Sequence, residues 1–72
     1  MNKDAIFVSY WNNGVIQTPC KVNTDTREVF DISVVDFDGD ILEKEYIILD
    51  GKEYPVFQYS DIVDEKNEFW YK

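Results

Sequence analysis

Apolar residues along this 72-residue chain fall in short runs separated by turn-forming residues, and no window sustains the i, i+3, i+4, i+7 stripe of an amphipathic helix. The pattern predicts a mostly β domain. Residues 5–11 alternate Ile6, Val8 and Tyr10 on one face with Phe7, Ser9 and Trp11 on the other. Asn12-Asn13-Gly14 follows, and Asn-Gly takes the positive φ values of a tight hairpin turn. The chain then returns over residues 15–22 with Ile16, Thr18, Cys20 and Val22 on one side. Pro19 has no N–H to give to a ladder, so this second strand is expected at a sheet edge or to carry a bulge.

Asn23-Thr24-Asp25-Thr26 is a cluster of residues whose side chains bond the local backbone in turns. A third strand is expected over residues 27–36, with Phe30, Ile32 and Val34 buried and Asp31 and Ser33 facing out. Phe37-Asp38-Gly39-Asp40 makes the next turn. The fourth strand runs to about Leu49, and its end, Tyr46-Ile47-Ile48-Leu49, is apolar on both faces, as in a strand covered on both sides. Asp50-Gly51 is the strongest local signal, a two-residue hairpin link between apolar strands. A fifth strand covers residues 52–58, with Pro55 again marking an edge or bulge. Residues 61–66 suggest one short helical turn, capped by Ser60 or Asp61 and stopped at Asn67. Residues 68–71 close as a short final strand. The expected fold is a single all-β domain with minor helix, spanning residues 1–72. Its five or six antiparallel strands form a meander bent into a partly open barrel, for which a small SH3-like barrel is the nearest analogue.

Length and composition narrow the picture. A chain of this size buries about 60% of the surface it exposes when unfolded, and its core seldom supplies more than about 3–5 kcal/mol. Disulfides or a structural metal usually help, but there is one Cys, Cys20, and no His. The support must come from the twelve aromatic residues, each able to bury roughly 150–250 Å². The start of the chain is too short and polar for a signal peptide, and no stretch approaches the roughly 20 apolar residues of a membrane span. With a lone thiol, this suggests a cytoplasmic protein. Fifteen acids against seven Lys and Arg give a net charge of −8. Residues 1–22 carry +1 and residues 23–72 carry −9.

Few constellations carry chemistry. Asp36-Phe37-Asp38-Gly39-Asp40 resembles the opening of an EF-hand calcium loop, where alternate carboxylates converge on one ion. The required Gly at the sixth position and Glu at the twelfth are replaced by Ile41 and Ile47, so an acidic hairpin turn is the simpler reading, with weak calcium binding as the alternative. Cys20 lacks a His, and a strand projects Lys21 to the opposite face, so it is expected as a small buried hydrophobe and not a nucleophile. Glu43 and Glu45, or Asp64 and Glu68, are close in sequence, but paired acid–base work needs environments that separate their pKa values. No enzymatic activity and no cofactor are expected.

The aromatics could stack on bases, but the net charge repels phosphate, so direct nucleic-acid binding is not expected. Acidic charge also opposes binding to anionic membranes. The inverse idea is that carboxylates stand where phosphates would sit on a basic nucleic-acid-binding protein. Its candidates are Asp31, Asp36, Asp38, Asp40, Glu43 and Glu45. Trp11 and Trp70 are the candidate aromatic contacts, because alternation prevents both members of Tyr10-Trp11 or of Trp70-Tyr71 from facing one core. The leading expectation is a non-catalytic protein-interaction module, in a sharper form an inhibitor of such a basic protein. The alternative is a small-ligand or carbohydrate binder using exposed aromatics. The sequence leaves monomer or dimer open, with both prolines discouraging edge pairing.

Overall fold

The computed structural model describes residues 1–32, 40–59 and 69–71. Six strands are formed: β1 (Asn2–Trp11), β2 (Gly14–Asn23), β3 (Val29–Phe30), β4 (Leu42–Leu49), β5 (Lys52–Gln58) and β6 (Phe69–Tyr71). They make one mixed sheet in the order β3-β2-β1-β4-β5-β6 that is nearly closed into a barrel. The expected class and strand number are met. The helical turn expected near 61–66 lies outside the described residues.

The two hairpins fall where turn chemistry places them, with one adjustment in the first. β1 and β2 pair from Asn2↔Asn23 to Trp11↔Gly14, so the link is Asn12-Asn13 and Gly14 already belongs to the strand. Gly14, and neither asparagine, takes the positive φ, at 154°. β4 and β5 are joined by Asp50 at φ 52° and Gly51 at 79°, the left-handed pair that an Asp-Gly link provides. Alternation in β2 is as expected. Cys20 and Val22 are buried, Ile16 and Thr18 half-buried, and Val15, Gln17, Pro19 and Lys21 exposed. In β1 the inward face is Ala5, Phe7, Ser9 and Trp11.

Three features depart from a simple antiparallel meander. β3 is only two residues long among the described residues, because Asp31 turns away at φ 58°. Its register sets Val29 opposite Val22 and Phe30 opposite Lys21, so Val29 is buried and Phe30 only half so. Ile32 packs against the core, and Val34 lies outside the described residues. Next, β4 returns to pair with β1 and not with β3, placing the two-faced apolar run of β4 in the middle of the sheet. Last, β6 runs parallel to β5, in register from Val56↔Phe69 to Gln58↔Tyr71. A parallel partner requires a crossover connection that brings the chain back to the same end, in place of a tight hairpin turn. Strand direction is not written in an alternation pattern.

Both prolines sit where a ladder can spare an N–H. β3 pairs only with Lys21 and Val22 of β2, which leaves Pro19 beyond the reach of that ladder. Pro55 is the last residue of β5 in register with β4, opposite Tyr46.

The barrel closes through the turn at residues 23–28. Asn23 Oδ1 accepts the backbone N–H groups of Asp25 at 2.9 Å and Thr26 at 3.2 Å, the local bonding expected of this cluster. Arg27, at φ 65°, then offers its carbonyl to the N–H of Trp70 at 3.0 Å, and Trp70 bridges in parallel to Glu28. Inside lie Ala5, Phe7, Cys20, Val22, Val29, Ile47, Leu49, Val56 and Phe69, with Ile47 and Val22 fully shielded from water. Replacing Ile47 by Ala removes buried methyl groups worth about 2–5 kcal/mol. That is comparable to the whole stability expected of a core this size, about 3–5 kcal/mol. Ile47→Ala should be largely unfolded at room temperature and Ile47→Val, which loses about 0.5–1.5 kcal/mol, should remain folded, as read by circular dichroism in a urea titration.

Candidate functional site

The break in the β4–β5 ladder forms a hollow. The two strands pair only between residues 46–49 and 52–55. Beyond Pro55 they part, as β4 stays with β1 and β5 turns to β6. Between them opens a cleft of about 300 Å³, lined by residues 42–46 of β4 and 55–58 of β5. Its apolar surface comes from Leu42, Tyr46, Val56 and Phe57, and its carboxylates from Glu43 and Glu45. Glu43 is the extra residue where the β1–β4 register slips, since Tyr10 pairs with Lys44 and Trp11 with Leu42. Lys44, the one cation among the described residues lining the cleft, places its Nζ 5.6 Å from the ring centre of Tyr10 and 5.8 Å from that of Tyr46. Those two rings meet edge to face at 5.8 Å.

The sequence-predicted residues divide between distinct places. Asp31 is exposed and borders a small hollow with Asp4 and Lys21, at the opposite end of β1 from the cleft. Asp40 accepts a hydrogen bond from Asn13 Nδ2 at 3.1 Å, and Asn12 bonds Ile41 through both its backbone N–H and its Oδ1. These contacts strap the β1–β2 turn to the start of β4. Asp36 and Asp38 lie outside the described residues, as do Asp64 and Glu68. Among the described residues no three His, Cys, Asp or Glu side chains gather as metal ligands. Glu43 is exposed and, among the described residues, has no ion pair. Of the named acids among the described residues, Glu43 and Glu45 alone line the cleft.

Glu45 faces inward and is half-buried, opposite Ser9 on β1. The hydroxyl of Tyr71 donates to its carboxylate, 2.7 Å from Oε1 and 2.9 Å from Oε2. Burial raises the Glu45 pKa above the ordinary glutamate value, and the Tyr71 bond works against that rise. Sequence reasoning missed this pair, which depends on β6 lying parallel to β5. Trp11 also faces in, half-buried, with its Nε1 donating to Ser9 Oγ at 3.1 Å.

Trp70 faces out. Its Nε1 donates to the carbonyl of Thr26 at 3.0 Å, and its ring lies 5.1 Å from that of Tyr59. Phe57 is its neighbour across the β5–β6 pairing. Trp70 is thus half-buried beside two exposed aromatics, and it also holds the barrel seam. Neither Phe57 nor Tyr59 was singled out from the sequence. The period-two spacing of Pro55, Phe57 and Tyr59, the first two on one face of β5 and the last just past its end, is the signal that could have found them.

Cys20 is buried in the core, and burial pushes its thiol up to about 11. No helix among the described residues is long and apolar enough to cross a membrane. Comparison with family models, curated proteins and solved structures found no match to this chain.

Two outcomes follow from these environments. A carboxyl whose folded pKa is raised adds stability below its unfolded pKa, and that contribution is lost as pH rises through the folded value. Ionised Glu45 therefore opposes folding at neutral pH, with Tyr71 offsetting part of the effect. Tyr71→Phe should move the Glu45 titration midpoint further up, as followed by carboxyl ¹³C shifts, and should destabilise the fold at pH 7 by about 1 kcal/mol. An unchanged midpoint would show that the hydroxyl does not hold the carboxylate. Cys20 should resist a thiol reagent in the native protein and react promptly once urea unfolds it.

Proposed function

We propose that the chain is a non-catalytic protein-interaction module of the cytoplasm that meets its partner at the β4–β5 cleft. The observation that carries this reading is the composition of that cleft, in which an apolar surface containing Phe57 adjoins the carboxylates of Glu43 and Glu45. Apolar centres with polar margins, and aromatic enrichment, are features of protein-recognition surfaces. The −8 net charge favours a basic partner and fast, salt-sensitive association. A basic nucleic-acid-binding protein remains the sharper form of this proposal, with the chain as its inhibitor. It draws on Glu43 and Glu45 more than on Asp31, which lies at the far end of β1.

A second reading is favoured by the Tyr59–Trp70 pair, whose outward rings offer stacking area to a sugar or another small planar ligand. Ionic strength separates the two. Charge-driven association weakens as salt screens it, whereas stacking on a neutral sugar hardly changes.

Affinity capture from a lysate of the source organism, with the intact chain and with Phe57→Ala side by side, tests the first reading. The expected result is a basic protein retained by the intact chain, released early in a salt gradient, and lost with Phe57→Ala. Retention of the same proteins by both would count against the cleft. Saturable quenching of tryptophan fluorescence by a neutral oligosaccharide, unaffected by salt, would favour the second reading instead.

A further inference from the structure

We propose that the β4–β5 cleft receives an extended, cationic segment of the partner, which adds as a strand to the open edge of β4. The inference rests on the interaction reading above and specifies what the cleft recognises.

The backbone supplies the first part of the argument. Residues 42–45 of β4 are paired with β1 on one side, and on the other side they have no strand partner among the described residues. Residues 56–58 of β5 pair with β6 and likewise have none on the side toward β4. Alternate N–H and C=O groups of a strand point to opposite sides, so each of these edges turns toward the cleft backbone groups that have no strand partner among the described residues. Four residues of β4 at about 3.3 Å each make an edge on the order of 13 Å long. An open edge of that kind is a template for an incoming strand.

Charge selects the occupant. Glu43 is exposed without an ion pair among the described residues, and Glu45 is held by an uncharged hydroxyl. Lys44, which could have neutralised them, lies over the rings of Tyr10 and Tyr46. A second copy of this chain is disfavoured as the occupant, because each copy brings a net charge of −8. An added strand would alternate its side chains between the face of Glu45 and the face of Lys44 and Phe57. Lys or Arg is therefore expected at every second position, facing the carboxylates, with apolar residues between them against Phe57.

Selection of a phage-displayed library of random ten-residue peptides on the full chain provides the test. Enriched peptides should carry Lys or Arg at alternate positions, and one of them, made synthetically, should shift the NMR amide signals of residues 42–45 and 56–58. Glu43→Gln, at an exposed position that leaves the fold intact, should weaken that peptide about two- to fivefold. N-methylation at alternate peptide amides should cost about tenfold for each ladder bond removed. Peptides that bind but lack the alternating cations, shift signals elsewhere, or tolerate N-methylation at every position overturn the strand-addition proposal while leaving the interaction reading in place. A selection that yields no binder overturns both.

Discussion

The contact between β6 and the turn at residues 23–28 is what makes this sheet a barrel. Trp70 donates its backbone N–H to Arg27 and its indole N–H to Thr26, while the Arg27 guanidinium lies 5.2 Å from the ring centre of Phe69. Without this seam Phe69 and Val29, both buried, would lie at opposite open edges of a six-stranded sheet. One cysteine leaves no disulfide within the chain to hold such edges together, and among the described residues no three His, Cys, Asp or Glu gather as metal ligands. Aromatic burial at the seam takes that role, with the Asn23 side chain fixing the turn that receives it.

Closure has a geometric consequence on the other side of β5. A strand has two edges, and β5 must serve β4 with one and β6 with the other. It does so in succession: residues 52–55 pair with β4 and residues 56–58 with β6. The change of partner falls at Pro55, where the missing N–H already weakens the ladder. The cleft is therefore a product of closing the barrel and not a feature added to it. The same β5–β6 register carries Tyr71 to Glu45, so the hydroxyl that stabilises the ionised carboxylate arrives with the strand that seals the core.

This division explains what could be read from the sequence. Local rules were enough for the Asp50-Gly51 hairpin, for the buried face of β2 and for the self-bonded turn at Asn23, since each depends on residues close in the chain. The central place of β4 was visible in its two-faced apolar run. The parallel direction of β6, the shortness of β3 and the pairing of Glu45 with Tyr71 depend on which distant strands meet, and alternation is silent on that. For the site, Glu43 and Glu45 were among the acids named, but as members of a longer row that the fold disperses. Phe57 was overlooked because an apolar residue beside Val56 looks like core until the register shows that Val56 faces in and Phe57 out.

The charge asymmetry of the sequence also changes meaning once folded. The basic first strands do not stay apart from the acidic remainder. Lys3 bonds Asp50 at 3.1 Å, the terminal amine meets Asp25, and Lys21 lies 4.0 Å from Asp4. All three contacts lie toward the start of β1, at the end away from the cleft. Exposed pairs of this kind add little stability, on the order of 0–1 kcal/mol each, but they lower the local field where they occur. At the cleft end Lys44 lies over the tyrosine rings, and the carboxylates of Glu43 and Glu45 have no ion-pair partner among the described residues. Among the described residues, folding thus sets the terminal amine, Lys3 and Lys21 against Asp25, Asp50 and Asp4, while the two carboxylates of the cleft enter no ion pair.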